Sequence, residues 1–476
     1  MNIVNSKKVQ QSNALRCVVC TTVKLPDFGC NVIHSFVRYH LKIGFKHVYI
    51  FFDDINDGGI KIVKKQFSND EVTIILNNDN LKSKWKTVCP SYESLTPYIE
   101  DEVQARQRLN CEVALNLAYE GKYDWLLHID SDELFYMKNS SNIQSHFQML
   151  NDGNIGQMTY LNFEGVPEEL YDGSEVNDED VFDYFKNVTL FRKHHSIVNM
   201  NQQALESMKY WEQRRNHGQY FLAYDIGKSA VRVLPNVKCT NVHKFTILKD
   251  NITPTSNNDV VVVDDDVKKD SKVDTNLKSC TAIIDARNFN FKNYFKMEDT
   301  IILHYVVCGF PWLQAKYEIL GSFPNSWYGG KIPIAPSFHR DARDLILNKK
   351  NAMTVVKKFY KEQIMLNTEK DIDLYNHMIE SGVCVRISKP SKILKNHRNK
   401  NDNNKNRKQR ISTTSLATNN PIFALIQSVQ NDTSNNNDNK NNNEINNTNS
   451  ANGNDKNEDM TYDKNWMIAN AVKKFL

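Results

Sequence analysis

The chain has 476 residues, of which 40% are hydrophobic and 24% are charged, enough for one large or two ordinary domains and a tail. Its formal charge of +4, from 60 basic and 56 acidic residues, is too small to indicate a nucleic-acid partner. The first 15 residues lack the apolar core of a signal peptide, and no stretch approaches the roughly 20 apolar residues that cross a bilayer. We therefore expect a cytoplasmic protein that binds no nucleic acid and has no transmembrane segment.

Composition divides the chain into segments of different character. A polar tail covers 1–14, and a globular domain covers 15–390 with a flexible insertion near 250–279 that is rich in Asn, Asp, Lys and Ser. The Asn-rich segment 391–459 cannot bury a core, so we expect it to be disordered. The last segment, 460–476, predicts a short amphipathic helix that either docks on the domain or contacts a membrane surface.

Apolar periodicity predicts alternating strands and helices. The predicted strands are 15–23, 45–52, 72–76, 125–129, 155–163, 187–191 and 300–307. The predicted helices are 32–43, 61–67, 102–119, 143–150, 312–320, 342–365 and 371–379. Two stretches, 77–97 and 172–183, predict loops. Strand, helix, strand units form right-handed parallel crossovers, so the predicted fold class is α/β with a mostly parallel central sheet.

An Asp-x-Asp sequence ends the predicted strand 125–129. Asp130, Asp132 and Glu133 follow its apolar residues directly. Ligands bind at the carboxyl ends of the strands in open α/β sheets, where two carboxylates can bind Mg²⁺ or Mn²⁺ while a diphosphate fills the remaining positions. This is the chemistry of a nucleotide-sugar enzyme. The alternative is an acidic turn that caps the next helix.

Several motifs, in a fixed order, carry a resemblance to a known family. They are Val32 to Gly44, Val48 to Asp53 with Asn-Asp-Gly after it, Trp125 to Glu133, Gly227 to Arg232, and Leu303 to Tyr305. Together they resemble the family 92 and family 2-like glycosyltransferases of the GT-A fold, over about 15–339. The resemblance implies a Rossmann-like three-layer sandwich that transfers a hexosyl group from a nucleoside-diphosphate sugar to a glycan, protein or small-molecule hydroxyl. It also implies a Mn²⁺ or Mg²⁺ cofactor and inversion at the sugar carbon.

The resemblance assigns roles to individual residues. Asp130, Asp132 and His304 match the metal ligands, although a lone histidine in an apolar strand is also typical of a hydrogen-bonded core residue. Residues matched to binding of the nucleotide, its diphosphate or the acceptor are Asp53, Lys24, Lys228 and Arg232. In the first loop the family carries Lys-Asn-Glu, whereas this chain has Lys-Leu-Pro-Asp from Lys24 onward. Relatives in secretory organelles carry an amino-terminal anchor, so the resemblance also raises Golgi association.

Two carboxylates are candidates for the catalytic base. Glu164 and Asp225 each lie after or beside a predicted strand, where a carboxylate can accept the proton of an acceptor hydroxyl. Two further functions use the same acids. One is a metal-dependent nucleotidyltransferase or phosphohydrolase, and the other is a non-catalytic module of GT-A-like fold that binds partners.

Overall fold

The computed structural model describes residues 14–139, 142–171, 182–215, 218–247, 299–334, 337–348, 350 and 352–396, and the backbone of 278–281. All of them belong to one unit of the chain, Met1–Lys405. The predictions for the amino-terminal tail, most of the acidic loop, most of the insertion, the Asn-rich segment beyond 396 and the terminal helix lie outside the described residues.

The strands are β1 Cys17–Val23, β2 His47–Phe52, β3 Val72–Leu76, β4 Trp125–His128, β5 Glu133–Met137, β6 Ile155–Tyr160, β7 Asn162–Gly165, β8 Leu190–Arg192, β9 Lys228–Arg232, β10 Val237–Asn241, β11 Lys244–Ile247, β12 Lys278–Thr281, β13 Thr300–His304, β14 Ser326–Trp327, β15 Ile332–Pro333 and β16 Cys384–Arg386. The α-helices are α1 Cys30–Ile43, α2 Gly59–Gln66, α3 Asp79–Val88, α4 Tyr92–Leu95, α5 Val103–Glu120, α6 Ile143–Asp152, α7 Tyr184–Asn187, α8 Gln202–Gln213, α9 Phe310–Leu320, α10 Phe338–Leu347, α11 Met353–Gln363, α12 Ile372–Glu380 and α13 at 389–396.

The larger sheet has seven strands in the order β12-β6-β9-β4-β1-β2-β3. Every pairing in it is parallel except the two made by β9. Successive residues of β1 face different cores, because Val19 packs with α1 on one face and Val18 packs with α5 on the other. The predicted α/β class with a mostly parallel central sheet between helical layers is confirmed.

Helix α1 illustrates how local sequence sets an element's limits. Its apolar positions recur every three to four residues, and Ile33 and Phe36 are buried. The helix ends where predicted, at Gly44, whose φ of +116° favours glycine and whose N–H donates to the carbonyls of His40 and Leu41. The next residues form β2, which pairs in parallel with β1.

A second sheet has five strands in the order β16-β8-β7-β13-β5. The chain passes from the first sheet to the second three times, between β4 and β5, between β6 and β7, and between β12 and β13. The predicted strand 155–163 is therefore two strands, which separate at Leu161. The first of these passages carries the Asp-x-Asp sequence.

Three predictions of local structure were wrong. The predicted helix 342–365 is two helices, α10 and α11. The predicted loop 77–97 contains α3, in which Leu81 and Trp85, one turn apart, are buried and Asn78 caps the amino end by accepting from the Leu81 N–H at 3.2 Å. Three apolar residues in ten, Leu81, Trp85 and Val88, gave too weak a periodic signal. The predicted boundary at 391 falls inside α13, where Leu394 is 4% exposed, so the folded domain continues to at least residue 396. No helix in the described part of the chain is long and apolar enough to cross a bilayer.

Candidate active site

The site forms where β4 of the first sheet continues into β5 of the second. Asp130 and Asp132 lie in the connecting turn, which two hydrogen bonds close: the Glu133 N–H donates to the Asp130 carbonyl at 3.1 Å, and the Asp130 N–H donates to Glu133 Oε2 at 2.8 Å. The Tyr305 N–H donates to the Asp132 carbonyl at 2.8 Å and ties the turn to the end of β13. Since the turn leads into a strand, the alternative of an acidic helix cap is wrong.

Each aspartate of the turn forms an ion pair with a lysine from a distant element. Lys228 Nζ, at the start of β9, lies 2.8 Å from Asp130 Oδ2, and Lys316 Nζ, from α9, lies 2.8 Å from Asp132 Oδ2. The Lys228 side chain is fully buried, whereas 27% of the Lys316 side chain is exposed. One ammonium group is therefore enclosed by the protein, and the other is within reach of solvent.

His304 lies beside Asp132 at the end of β13. Its Nε2 is 3.6 Å from Asp132 Oδ1, longer than a hydrogen bond, and its Nδ1 has no hydrogen-bond partner among the described residues. The Tyr224 ring stacks on the imidazole at 5.1 Å between ring centroids. The imidazole therefore points a nitrogen at Asp132 without forming a normal hydrogen bond to it.

The three predicted metal ligands, Asp130, Asp132 and His304, thus lie together at one end of the sheet. Carboxylate oxygens and an imidazole nitrogen are donors that suit Mn²⁺, and the carboxylates also suit Mg²⁺. Within the described residues, no group of three His, Cys, Asp or Glu side chains is arranged to hold a metal ion. The donor set fits the ion chemically, and binding requires side-chain movement, above all of the lysine on Asp132.

Buried polar side chains form a row across the second sheet that ends at this site. Arg192, Glu164, His304 and Glu133 are register partners on β8, β7, β13 and β5, and register partners share a face of the sheet. None of them is more than 2% exposed. The row is held by hydrogen bonds: Arg192 Nη2 donates to Glu164 Oε2 at 2.7 Å, and the Tyr224 hydroxyl donates to Glu133 Oε1.

The electrostatic environment shifts the pKa values of Asp130, Asp132 and Glu133 in different directions. Burial alone would raise the pKa of Asp132, but Lys316 and His304 outweigh it and hold that pKa well below its usual range. Lys228 likewise lowers the pKa of Asp130 against the effect of burial. For Glu133, burial outweighs the attraction of Lys228 and raises the pKa to about 7. Two ionised carboxylates therefore lie next to a carboxyl that titrates near neutral pH.

The raised pKa of Glu133 predicts a pH-dependent cost to stability. The folded protein holds this proton up to about pH 7, whereas the unfolded chain releases it near the usual value of 4.5. The free energy of unfolding therefore falls as pH rises from 4.5 to 7 and stays lowered above that, by about 2 to 3 kcal/mol for this one group. Glu133→Gln, which keeps the shape of the protonated acid, is expected to remove this dependence.

The measurement is urea unfolding of the wild type and Glu133→Gln at pH 4.5 and pH 8. Relative to the wild type, the free energy of unfolding of the variant should rise by about 2 to 3 kcal/mol between pH 4.5 and pH 8. Comparing the two proteins at each pH removes the contributions to stability of the groups that titrate in both. A difference that stays constant with pH would show that Glu133 is ionised in the folded protein throughout this range.

Asp53 and Lys24 lie at the same sheet edge, at the carboxyl ends of β2 and β1. Arg106 binds Asp53 in bidentate fashion, with Nε on Oδ1 and Nη2 on Oδ2, each at 2.7 Å, and its Nη1 donates to the Ile99 carbonyl at 2.8 Å. Lys24 is exposed. The structure thus brings both residues to the edge where the acids lie and fixes the Asp53 carboxylate in place.

Arg232 does not reach the site, so its predicted contact with the diphosphate or acceptor is wrong. Strand β9 runs antiparallel to β4, and Arg232 pairs with Trp125 at the amino end of β4. Lys228, at the other end of β9, is the residue that lies on Asp130. Five residues of strand separate the two basic side chains by about 13 Å, so they cannot bind the same small group.

Glu164 is structural, and its environment contradicts the prediction that it is a catalytic base. Its side chain is fully buried, pairs with Arg192, and accepts from the N–H groups of Leu222 and Ala223 at 2.9 and 2.7 Å. These donors occupy the carboxylate, and no acceptor hydroxyl can reach it. Glu164 instead anchors the loop 222–227, which carries Tyr224 and leads to Lys228.

The other predicted base, Asp225, lies in that anchored loop. It directly follows Tyr224, whose hydroxyl donates to Glu133, and its backbone carbonyl accepts from His194 Nε2 at 2.7 Å. The side chain is half-buried. Asp225 therefore remains the base candidate that solvent and an acceptor can approach.

Sequence reasoning missed several residues that contact the acids. Lys316 and Gln107 fall in predicted helices, and Tyr224 falls in a stretch without a predicted element. Gln107 Nε2 donates to Asp130 Oδ1 at 3.0 Å. Each lies more than 20 residues from its partner in the sequence. The only local sign of a role was that Gln107 and Lys316 are polar residues on helices with many apolar residues. A polar residue that simply faces solvent would look the same in the sequence.

Comparisons with known proteins give partial matches. No protein-family model matches the chain. The chain is 27% identical over 146 residues to an Arabidopsis thaliana protein, glycosyltransferase-like At2g41451, covering 30% of each. It is 24% identical over 145 residues to a second, glycosyltransferase-like At3g57200, covering 30% of this chain and 26% of that one. The chain thus matches less than a third of the length of these curated relatives.

Among solved structures, the chain is similar to core-mannan synthase A from Aspergillus fumigatus in its Mn/GDP form. The two are 10% identical, the match covers 47% of this chain and 61% of that one, and the TM-score is 0.23.

Proposed function

We propose that the protein is a GT-A glycosyltransferase of the family 92 and family 2-like type. It would transfer a hexosyl group from a nucleoside-diphosphate sugar to a hydroxyl of a glycan, protein or small molecule. The observation that carries the proposal is the pair of ionised aspartates, Asp130 and Asp132, at the carboxyl end of a parallel strand, with an imidazole and two ammonium groups around them. The similarity to glycosyltransferase-like proteins supports the reaction class.

Asp130, Asp132 and His304 would hold the Mn²⁺ or Mg²⁺, which when bound supplies a Lewis acid for the departing diphosphate. Lys228 keeps Asp130 ionised and oriented, because its ammonium is enclosed 2.8 Å from the carboxylate. Asp53, fixed by Arg106, retains lone pairs that can accept hydrogen bonds from the nucleoside. Lys24 at the mouth of the same edge would contact the phosphates.

The transfer step is a direct displacement at the sugar carbon. The bond from that carbon to the diphosphate oxygen breaks with its electron pair leaving on the diphosphate, while the acceptor oxygen bonds to the opposite face of the carbon and inverts it. Asp225 takes the proton of the acceptor hydroxyl. Asp225 lies in the loop that Glu164 holds and directly follows Tyr224, whose hydroxyl donates to Glu133.

A donor screen tests this function. The protein is incubated with Mn²⁺ and a panel of UDP-, GDP- and ADP-linked hexoses, and released nucleoside diphosphate and free sugar are measured. We expect metal-dependent release of diphosphate and sugar in equal amounts from one donor, by slow transfer to water. Release of nucleoside monophosphate would favour a phosphohydrolase or nucleotidyltransferase, and no release from any donor would favour a non-catalytic module.

His304→Gln is expected to raise the Mn²⁺ concentration needed for half-maximal activity by about tenfold, because one ligand of the ion is weakened. The same change should leave the metal-free stability within about 1 kcal/mol, since the imidazole forms no normal hydrogen bond to any described residue that glutamine would lose. The measurements are a Mn²⁺ titration of activity and a metal-free urea unfolding curve.

His146→Gln is the matched control. His146 is equally buried and its Nε2 lies 2.7 Å from the Tyr160 hydroxyl in the core, so its replacement should cost stability without changing the metal titration. If His304→Gln behaves like His146→Gln, then His304 is a core residue and not a ligand.

A further inference from the structure

Lys316 and Lys228 make ion pairs of the same length, but the two lysine side chains differ in burial. Lys228 Nζ is fully buried and also lies 3.4 Å from the Val242 carbonyl, so it is enclosed beside Asp130. Lys316 reaches Asp132 from α9, and both side chains are partly exposed, 27% for the lysine and 18% for the aspartate. A lysine ammonium on a flexible four-carbon stem can change partners at low cost when solvent is near.

The position of Lys316 conflicts with a cation on Asp132. Lys316 Nζ occupies Oδ2 of that carboxylate, while Oδ1 faces His304 Nε2 at 3.6 Å. A divalent ion bound by Asp132 and His304 would lie within a few ångströms of the ammonium, where like charges repel. The ion and the Lys316 ammonium therefore compete for the same carboxylate.

A diphosphate can bind both the divalent ion and the displaced Lys316 ammonium. Once a divalent ion has displaced the ammonium from Asp132, Lys316 remains at the edge of the site without its counter-ion. The donor's diphosphate brings at least two negative charges to this place, enough to pair with both the ion and the ammonium. An ammonium is a good partner for phosphate oxygens, with three donors that can turn toward them.

We propose that Lys316 is a displaceable counter-ion of Asp132, which a divalent cation replaces and which then binds the donor's diphosphate. The inference rests on the proposed function, since it takes the donor to be a nucleoside diphosphate. In the protein without ligands Lys316 suppresses binding of the ion, and in the complex it strengthens binding of the diphosphate. The exchange makes the two ligands bind cooperatively, in addition to their direct contact with each other.

The test measures free Mn²⁺ by electron paramagnetic resonance in titrations of the full chain. The proteins are the wild type, Lys316→Met, which keeps the length and apolar stem of the side chain, and Lys82→Met, which removes a surface lysine paired with Glu100. Each is titrated alone and with saturating UDP or GDP. Melting temperatures establish that the variants fold, and Lys316→Gln is a second variant if the methionine lowers the melting temperature.

Lys316→Met is expected to bind Mn²⁺ about tenfold more tightly than the wild type when no nucleotide is present. Nucleoside diphosphate should raise the Mn²⁺ affinity of both proteins, by a factor about tenfold smaller in the variant because the lysine's contribution is gone. Lys82→Met should match the wild type in both titrations.

Equal Mn²⁺ affinity of Lys316→Met and the wild type without nucleotide, or an equal increase on adding it, would overturn the inference while leaving the proposed function intact. If no protein in the set binds Mn²⁺, with or without UDP or GDP, the proposed function and the inference both fail.

Discussion

Replacing Asp132 by Asn is expected to lower kcat/KM for sugar transfer by at least about a hundredfold while the protein stays folded. The asparagine loses the negative charge that faces both His304 and Lys316, and a divalent ion loses a charged ligand at the point where the diphosphate leaves. The fold should tolerate the change, because the backbone carbonyl of residue 132 keeps its hydrogen bond to Tyr305 and Lys316 can reach solvent.

Asp124→Asn is the matched control for this experiment. Asp124 lies at the amino end of the same strand, where its carboxylate accepts from the Arg16 N–H at 2.6 Å, so the change removes an acid on β4 without touching the site. Its activity should stay near that of the wild type. Full activity of Asp132→Asn, measured with the donor found in the screen, would remove Asp132 from the catalytic machinery.

Glu164→Ala is expected to lower the free energy of unfolding by about 3 to 5 kcal/mol, the usual cost of breaking a buried ion pair by removing one partner. The change leaves Arg192 buried without its carboxylate, although the guanidinium still lies over the Trp211 ring at 4.3 Å. It also leaves the N–H groups of Leu222 and Ala223 without their acceptor. Urea unfolding at pH 7 measures the loss.

Two variants separate this structural role from a catalytic one. Glu164→Gln keeps an acceptor oxygen and should lose less stability than Glu164→Ala, whereas Asp225→Asn, at a half-buried loop position, should change stability by less than about 0.5 kcal/mol. Asp225→Asn should instead abolish transfer. A Glu164→Ala protein with the stability of the wild type and no transfer activity would restore Glu164 as the base.

The fold could be predicted from the sequence where the information is local. The bounds of β3 and the end of α1 at Gly44 follow from periodicity and from one residue suited to a positive φ. The position of Asp130 and Asp132 at the carboxyl end of β4 also follows, because the two acids come directly after the apolar residues of that strand in the sequence. These features depend on residues that are near neighbours in the chain.

The parts that could not be predicted depend on how distant segments meet. The resemblance brings Arg232 to the site, but β9 runs antiparallel to its neighbours and carries Arg232 to the other edge, and no local pattern reveals that direction. Glu164 looked like a residue after a strand, and its burial follows from the chain's change of sheets at Leu161. The pairing of Lys316 with Asp132 joins residues 184 positions apart, and no pattern within α9 distinguishes that lysine from a solvated one.

The proposed function requires a divalent cation and a nucleoside diphosphate to bind together at the turn between β4 and β5. The most direct measurement is anomalous diffraction at the manganese absorption edge from crystals grown with Mn²⁺ and the nucleoside diphosphate of the preferred donor. We expect one strong anomalous peak in contact with Asp130, Asp132 and His304 and next to the phosphates, with Lys316 turned from Asp132 toward the diphosphate. A diphosphate bound at this turn with no manganese peak, or a peak elsewhere in the protein, would contradict this expectation.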